Sequence, residues 1–397
     1  MTPRNRRVID LNAVTENMSL LRAATDPAAK MLAVVKADGY GHGAAEVSRA
    51  ALAGGADMLA VASVAEGTAL RAHGIQAPIL VLGAVLAADV AEGVENRITQ
   101  TVCSPEMVRL CEEAAVRTKK QTEVHLKIDT GMGRIGVRSR EERDKVLQAL
   151  EKAPHVKLTG VFTHLSDADD GEDGMAYTEG QFQKFLSLTD DLPREVIRHC
   201  ANSAAIHRRP DMALDMVRAG ISLYGYPPVE TGMPLKPCMR WTAKVSYVKE
   251  LPAGEYISYG RTFRTDRPTR VATVTCGYAD GYHRSAGGKA EVLIHGQRVP
   301  VLGRICMDQM MADVTGLENV QPEDEVVLMG RSGSERITAE DLARWSGTIS
   351  YEILLSVGSR VDRVFSDMKG TDSDADEVEA TVTLFALAQD ENTYPEL

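Results

Sequence analysis

Short apolar runs alternate with helical patterns through about half of this chain, and this alternation constrains its fold more than any other feature. Eight such runs occur between residues 30 and 225, near 31–36, 57–62, 79–82, 98–103, 123–128, 157–163, 196–201 and 214–221. Apolar runs of this length are typical of buried parallel strands, and a helix is the usual crossover between two of them. The sequence therefore predicts an α/β fold that begins with a (β/α)8 TIM-type barrel, an architecture of about 250 residues.

The segment after residue 103 shows how these helices are encoded. Ser104 suits an N-cap and Pro105 suits the first helical position. Apolar residues then recur at helical spacing, at Met107, Leu110, Cys111 and Ala114. One face of this helix is therefore predicted to pack on the barrel.

The pattern changes after Pro227-Pro228, where runs rich in Val, Thr and Tyr are punctuated by Gly and Pro. These features predict a second, β-rich domain. We divide the chain into a barrel at residues 11–235 and a β domain at residues 236–365, and we expect residues 1–10 to form a strand that joins the β domain. Residues 366–397 are rich in Asp and Glu and are predicted to be a flexible acidic linker and tail.

Composition argues against several classes of function. The 397 residues carry a formal net charge of −11, which disfavours nucleic acid or an anionic membrane as the main partner. No stretch approaches the roughly eighteen apolar residues of a membrane span. Six cysteines without CxxC spacing indicate reduced thiols. We therefore expect a cytoplasmic protein.

The fifth predicted strand directs polar side chains into the barrel. Alternation along residues 124–129 places His125, Lys127 and Asp129 on the inner face. Three polar groups are costly in a packed barrel interior, and the active sites of such barrels lie at the C-terminal ends of the strands. This strand is therefore predicted to be functional.

A single lysine, Lys36, ends the first apolar run, and a glycine-rich loop follows it. Burial lowers the pKa of a lysine, and an uncharged amine can form a Schiff base with a carbonyl. Gly39, Gly41 and Gly43 permit the positive φ angles and close backbone approach that a phosphate needs. The segment indicates a pyridoxal phosphate site, and the alternative from these residues alone is a structural lysine at a strand end.

Eight motifs resemble those of the alanine racemase family, which has the type III fold of pyridoxal phosphate enzymes. They lie, in order, at residues 35–43, 127–134, 163–164, 201–203, 218–225, 257–260, 277–281 and 303–309. Each motif alone is a weak signal, but the ordered set is specific. One departure is Asp362, where the family often has proline. The resemblance implies interconversion of L-alanine and D-alanine by a two-base mechanism, which supplies D-alanine for cell-wall peptidoglycan.

The resemblance also implies roles for individual residues. Lys36 would hold the cofactor and act as one proton-transfer base, and Tyr259 would be the base on the opposite face of the substrate. The implied cofactor-binding residues are Lys36, Tyr40, His164, Asn202, Ser203, Arg218, Gly220, Ile221 and Tyr351. The implied substrate-binding residues are Arg134, Tyr278 and Met307.

Two cationic residues of the barrel interior, Lys127 and Arg218, have alternative roles that the residues alone leave open. Lys127 matches a position that carries a carbamate in many relatives, and the alternative is an ion pair with Asp129. Arg218 would lie against the pyridine nitrogen of the cofactor, and the alternative is an interior pair with Asp215.

The resemblance further implies a homodimer with shared active sites, in which Tyr259, Tyr278 and Met307 complete the site of the partner subunit. A serine-preferring or broader racemase of the same fold type is the alternative function. A decarboxylase is disfavoured because such enzymes place a carboxylate where Arg218 would lie. A non-catalytic cofactor-binding barrel would lack the β domain. A metal-dependent barrel hydrolase is disfavoured because the nine histidines show no HxH or HExxH spacing.

Overall fold

A computed structural model describes residues 4–366, which form two units built on separate sheets. The strands are β1 (Asn5–Asp10), β2 (Lys30–Val34), β3 (Met58–Val61), β4 (Ile79–Ala84), β5 (Thr99–Val102), β6 (Thr122–Lys127), β7 (Val156–Phe162), β8 (Ile197–His199), β9 (Met216–Ala219), β10 (Met239–Leu251), β11 (Tyr256–Ile257), β12 (Phe263–Arg264), β13 (Thr269–Val274), β14 (Glu291–Ile294), β15 (Gln297–Pro300), β16 (Met310–Asp313), β17 (Glu325–Ser332), β18 (Glu335–Ile337) and β19 (Asp362–Ser366). The predicted acidic linker and tail lies outside the described residues from position 367 onward.

Helices cover the barrel and close the β domain. They are α1 (Leu11–Ala23), α2 (Lys36–Tyr40), α3 (Ala44–Ala53), α4 (Val64–Ala72), α5 (Val90–Glu95), α6 (Pro105–Thr118), α7 (Arg140–Glu151), α8 (Glu172–Ser187), α9 (Ser203–Arg208), α10 (Ala339–Ser346) and α11 (Ser350–Ser356). Short 3-10 turns lie at Pro210–Met212, Ile221–Tyr224, Tyr259–Arg261, Tyr278–Asp280 and Arg284–Ala286. Within residues 4–366 no helix is both long and apolar enough to span a membrane.

Eight parallel strands form the barrel, in the order β8, β7, β6, β5, β4, β3, β2 and β9. Between β8 and β9, the amide of Asp215 donates to the carbonyl of Arg198 at 3.1 Å, and that of Arg218 donates to Ala201 at 3.0 Å. The barrel is thus nearly closed, and the predicted fold class is confirmed. Strand β2 ends at Val34, two residues earlier than the apolar run suggested.

Helix α6 begins as its sequence predicts. The Ser104 hydroxyl accepts a hydrogen bond from the amide of Met107 at 3.3 Å, and Pro105 is the first helical residue. Its buried face is centred on Val108, Cys111, Ala114 and Ala115. Met107 and Leu110 are only partly buried, because the face of the helix that packs on the barrel is shifted by about one residue from the predicted apolar face.

The β domain is a nine-stranded sheet whose main path is β15, β14, β17, β10, β1 and β19. Strands β13 and β16 extend it from β10, β18 pairs with β17, and β11 and β12 form a separate hairpin. The N-terminal strand β1 lies between β10, to which it is antiparallel, and β19, to which it is parallel. The β domain therefore contains both ends of the described chain.

One continuous apolar core includes buried residues of both units. Asn17 of α1 adds a polar connection to the segment between β9 and β10. Its side-chain amide donates to the carbonyl of Lys236 at 2.8 Å, and its side-chain carbonyl accepts from the amide of Lys236 at 2.8 Å. The barrel and the β domain are thereby held in one arrangement, which positions the site described next.

Candidate active site

The segment after β2 is a left-handed turn at the mouth of the barrel. Ala37, Asp38, Gly39 and Tyr40 of α2 all have φ between 52° and 61°. Residues other than glycine lose about 1–2 kcal/mol each in this conformation. The turn therefore needs compensating contacts, and it presents Lys36 and Tyr40 at fixed positions.

Side chains from two other elements supply these contacts. The Glu66 carboxylate of α4 accepts from the amide of Ala37 at 2.8 Å. The Asp38 carboxylate accepts from the amide of Ala44 at 3.0 Å and forms an ion pair with Arg363 of β19. Sequence reasoning missed Glu66 and Arg363. The spacing of Ser63 and Glu66 resembles a capping box, but it does not reveal that Glu66 reaches across to α2.

Lys36 is half-buried, and its surroundings favour the uncharged amine. Burial holds the pKa of its ammonium below the usual 10.5, the Arg134 guanidinium lowers that pKa further, and the Glu66 carboxylate opposes both. A lowered pKa increases the fraction of amine that can attack a carbonyl.

Hydroxyl groups converge beside Gly220, which follows β9. The Ser203 hydroxyl accepts from the amide of Gly220 at 2.9 Å. A side chain at Gly220 would place its Cβ 3.3 Å from the Tyr40 hydroxyl and 3.4 Å from the Ser203 hydroxyl, so a larger residue would fill the space between them. The ring of Tyr351 lies 6.2 Å from that of Tyr40, and burial raises the Tyr351 pKa to about 12. Neutral hydroxyls and a helix-type turn are the donors that an anionic phosphate requires.

Arg218 lies in the barrel interior, where it is 3 % exposed. Its guanidinium donates to the carbonyls of Thr163 at 2.9 Å and Cys200 at 2.8 Å. Burial lowers the Arg218 pKa to about 10, so this group is still charged at neutral pH. The alternative pair with Asp215 is not formed, and that carboxylate instead accepts from the amide of Arg198 at 2.7 Å.

A chain of imidazoles extends from Arg218. Its guanidinium lies 3.2 Å from His199 Nδ1, and His199 Nε2 lies 3.0 Å from His125 Nδ1. Arginine can only donate, so His199 accepts at Nδ1 and donates from Nε2 to His125. Burial lowers the pKa of both histidines, that of His125 to about 3, so both are neutral. The alternation along β6 identified His125 as an inward residue, whereas no sequence signal identified His199.

His164 and Asn202 are held beside this group. His164 Nδ1 lies 3.3 Å from the Arg218 guanidinium, and burial followed by that charge keeps the His164 pKa well below its ordinary value. Asn202 caps α9 by accepting from the amide of Ala205 at 3.0 Å. The side chain of Asn202 therefore fixes the start of the helix that carries Ser203.

Lys127 is buried beside aromatic and cationic groups. Its Nζ lies 4.4 Å from the centre of the Phe162 ring, and its side chain is 3 % exposed. Burial, then Arg218 and Arg134, hold the Lys127 pKa well below the usual value. No ion pair to Lys127 occurs in the part of the chain that the structure describes. Asp129 instead accepts from the amides of Gly131 and Gly133 at 3.0 Å each.

Arg134 lies exposed on the loop that follows β6. Three further predicted residues lie on the β domain and face outward. Tyr259, Met307 and Tyr278 are 66 %, 52 % and 41 % exposed, respectively. Among residues 4–366 no hydrogen bond, ion pair or ring contact joins any of them to Lys36. The single chain therefore brings together the groups around Gly220 and those around Arg218, with no such contact from the three β-domain residues to Lys36.

Comparisons with known proteins match both units of the chain. Residues 9–228 match the family model described as alanine racemase, N-terminal domain, and residues 238–365 match alanine racemase, C-terminal domain. The alanine racemase of Methanococcus maripaludis is 42 % identical over 365 residues, covering 90 % of this chain and 97 % of the relative. That of Symbiobacterium thermophilum is 44 % identical over 364 residues, covering 90 % and 96 %.

Solved structures give the same result. The crystal structure of the alanine racemase from Bacillus anthracis with bound L-Ala-P has a TM-score of 0.85 to this chain at 37 % identity, covering 92 % of this chain and 95 % of that one. Both the barrel and the β domain are therefore included in the likeness.

Proposed function

This chain belongs to the alanine racemase family, and from that premise we propose how its residues carry out the interconversion of L-alanine and D-alanine. The protein is an isomerase, and its curated relatives are alanine racemases rather than serine-preferring enzymes. The residue roles, the cofactor and the assembly given below make up the proposal. It is supported most directly by the contrast between the buried groups around Arg218 and Gly220 and the three exposed β-domain side chains.

Pyridoxal phosphate fits the groups at the barrel mouth. The space between the Tyr40 and Ser203 hydroxyls would be filled by a Cβ at Gly220, so it is shaped for an external oxygen-rich group. These hydroxyls, with that of Tyr351 and the backbone of Gly220 and Ile221, would hold the phosphate. When bound, the cofactor withdraws electrons from the α carbon of the substrate and makes its hydrogen acidic.

Arg218 would lie against the pyridine nitrogen of the cofactor. Two backbone carbonyls and the imidazole of His199 fix its guanidinium, so its direction is set before the cofactor binds. A guanidinium donates hydrogen bonds but does not give up its proton at neutral pH. Arg218 would therefore leave the nitrogen unprotonated, which limits electron withdrawal and suits racemisation over transamination.

Racemisation needs a proton removed from one face of the α carbon and returned on the other. Lys36 would serve one face, because its amine is half-buried and its pKa is lowered. Tyr259 would serve the opposite face. His164 accepts from Arg218 at Nδ1, so its Nε2–H is available to hold the Tyr259 oxygen.

Arg134 would bind the carboxylate of the substrate. Lys127, a buried amine with a lowered pKa, is suited to react with carbon dioxide to give a carbamate and a released proton. The carbamate would be an anion between Arg134 and Arg218 and would orient Arg134. Tyr278 and Met307 would form the wall around the small side chain of alanine.

Tyr259, Tyr278 and Met307 would act in the site of a partner subunit, which gives a homodimer with two shared sites. Their exposure in the single chain supports this assembly. We place the enzyme in the cytoplasm, where it would supply D-alanine for peptidoglycan.

The decisive experiment is complementation between two inactive variants. Lys36→Ala and Tyr259→Phe are purified separately, mixed in equal amounts, and allowed to exchange subunits. In a shared-site dimer each mixed dimer has one site with both Lys36 and Tyr259, so the mixture regains about one quarter of the wild-type activity. If each site belonged to one chain, no mixed dimer would contain an intact site, and continued inactivity after demonstrated exchange would reject the proposal.

A further inference from the structure

Two loops of the β domain carry the proposed substrate wall. The 277–281 loop holds Tyr278, and the 303–309 loop holds Met307. The amide of Tyr278 donates to the carbonyl of Cys306 at 3.1 Å, and the amide of Ala279 donates to that of Met307 at 2.9 Å. A Cβ at Gly277 would lie 2.3 Å from the Met307 carbonyl oxygen, so the two backbones approach as closely as a glycine allows.

Each loop also carries an aspartate that faces the same pair of arginines. Asp280 has a side chain that is only 1 % exposed, and it accepts from the amide of Gly277 at 2.9 Å. Asp308 directly follows Met307, and its side chain is 49 % exposed. A buried carboxylate is costly unless cations and donors compensate its charge.

Arg360 bridges the two carboxylates. Its Nε lies 3.4 Å from Asp280 Oδ1, and its Nη2 lies 2.9 Å from Asp308 Oδ1. The planar guanidinium can direct two donors to two separate acceptors, which a lysine ammonium does with less directional control. One side chain therefore adds a second connection between the 277–281 and 303–309 loops, beside their backbone hydrogen bonds.

Arg4 approaches the same group from the other end of the chain. Its guanidinium donates to the backbone carbonyl of Asp308, and its Nη2 lies 3.7 Å from Asp280 Oδ2. Strands β1 and β19 are parallel with Arg6 opposite Asp362, so Arg4 and Arg360 each stand two residues before this pair. The register of these two strands thus places both cations beside the loops.

We propose that Arg360, assisted by Arg4, is a positioning residue. It holds Tyr278 and Met307 at the positions in which they contact the substrate of the neighbouring site. This inference rests on the proposed function, because it assumes that these two residues line the substrate. Arg360 itself is half-exposed and makes its ion pairs to the two loop aspartates, so its effect on the reaction passes through the loops.

The test compares steady-state kinetics of Arg360→Ala and Arg360→Lys with the wild type. Arg360→Ala is expected to raise KM for L-alanine roughly tenfold with a smaller change in kcat, the signature of a displaced binding group. Arg360→Lys keeps the positive charge but lacks the two directed donors of the guanidinium. Its KM for L-alanine should lie between those of the wild type and Arg360→Ala. The visible absorption of the bound cofactor and the sedimentation of the dimer should stay unchanged, which a general folding defect would not allow.

Two further variants make the result decisive. Arg267→Ala removes an exposed β-domain arginine that pairs with Asp313 at 2.9 Å, and it should leave KM unchanged. Met307→Ala tests the wall directly and should raise KM. If Met307→Ala raises KM and Arg360→Ala does not, the positioning role is wrong while the proposed function stands. If neither raises KM, the wall itself is wrong and both proposals fail.

Should Arg360→Ala prove insoluble, Asp308→Asn replaces it, because it weakens the exposed half of the bridge and leaves buried Asp280 with both arginines. A raised KM in this variant supports the inference, and a wild-type KM overturns it.

Discussion

The barrel mouth and the exposed edge of the β domain differ in how far one chain completes them. At the barrel mouth, Arg218 is 3 % exposed, and its guanidinium donates to the carbonyls of Thr163 and Cys200. On the β domain, Tyr259 is 66 % exposed, and within residues 4–366 no hydrogen bond or ring contact joins it to Lys36. The first region is the one we propose to hold the cofactor within a single chain, whereas the second gains its proposed role only against another molecule.

The largest effect expected from this contrast comes from removing one oxygen atom on the exposed region. Tyr259→Phe should lower kcat by about 10²–10⁴-fold, the usual contribution of a general acid–base group. The visible absorption of the cofactor should persist, since Tyr259 does not hold it. Steady-state kinetics and absorption spectra of the holoenzyme measure both quantities.

Tyr256→Phe is the matched control, because Tyr256 is also exposed, at 50 %, and lies three residues away. It should retain wild-type kcat. Equal activity of Tyr259→Phe and the wild type would show that Tyr259 moves no proton.

A smaller effect is expected within the barrel. Ser203→Ala removes the hydroxyl that accepts hydrogen bonds from the amides of Gly220 and Ser222 beside the proposed phosphate position. The Kd for pyridoxal phosphate should rise about tenfold, the free energy of one or two lost hydrogen bonds. Titration of the apoenzyme with cofactor measures this change.

Ser222→Ala serves as its control, because that hydroxyl bonds to His207 at 3.0 Å, and the cofactor Kd should not change. Tyr259→Phe should also keep the wild-type Kd. A raised Kd for pyridoxal phosphate in Tyr259→Phe would mean that cofactor binding is not confined to the barrel mouth as proposed.

The smallest effect concerns the pKa of Lys36. The Glu66 carboxylate raises that pKa against the effect of burial, so Glu66→Gln should move it further below 10.5. The uncharged amine reacts with the cofactor, and its fraction at a given pH rises as the pKa falls. The pH profile of cofactor uptake by the apoenzyme should therefore move to lower pH.

Glu46→Gln is the control for this profile, because Glu46 pairs with Arg49 on α3 and does not influence Lys36. A profile that moves to higher pH in Glu66→Gln would contradict the electrostatic account of Lys36.

The parts of this molecule that sequence reasoning predicted depend on local patterns. The apolar runs marked the barrel strands, and Ser104 marked the start of α6, because strand burial and capping act over a few residues. Residues that act over long distances were missed. Arg363 reaches Asp38 across 325 positions, and His199 reaches His125 across 74, and neither pairing leaves a periodic signal.

The left-handed turn was anticipated only in part. Gly39, Gly41 and Gly43 predicted positive φ angles, and all three have them. Ala37 and Asp38 share this conformation without being glycine, because Glu66, Ala44 and Arg363 hold their polar groups. The site-residue roles carried by the family resemblance stay predictions until the variants above are measured.

The position of β1 has a consequence for biosynthesis. Strand β1 pairs with residues 239–243 and with the strand that ends at Ser366, so its partners are translated only after the whole barrel has emerged. Strand β1 must therefore stay unpaired while the rest of the chain is synthesised, and unpaired strand edges promote aggregation. For the same reason, cutting the chain at Pro227-Pro228 would not yield two self-sufficient fragments, because the barrel piece would carry away an interior strand of the other sheet.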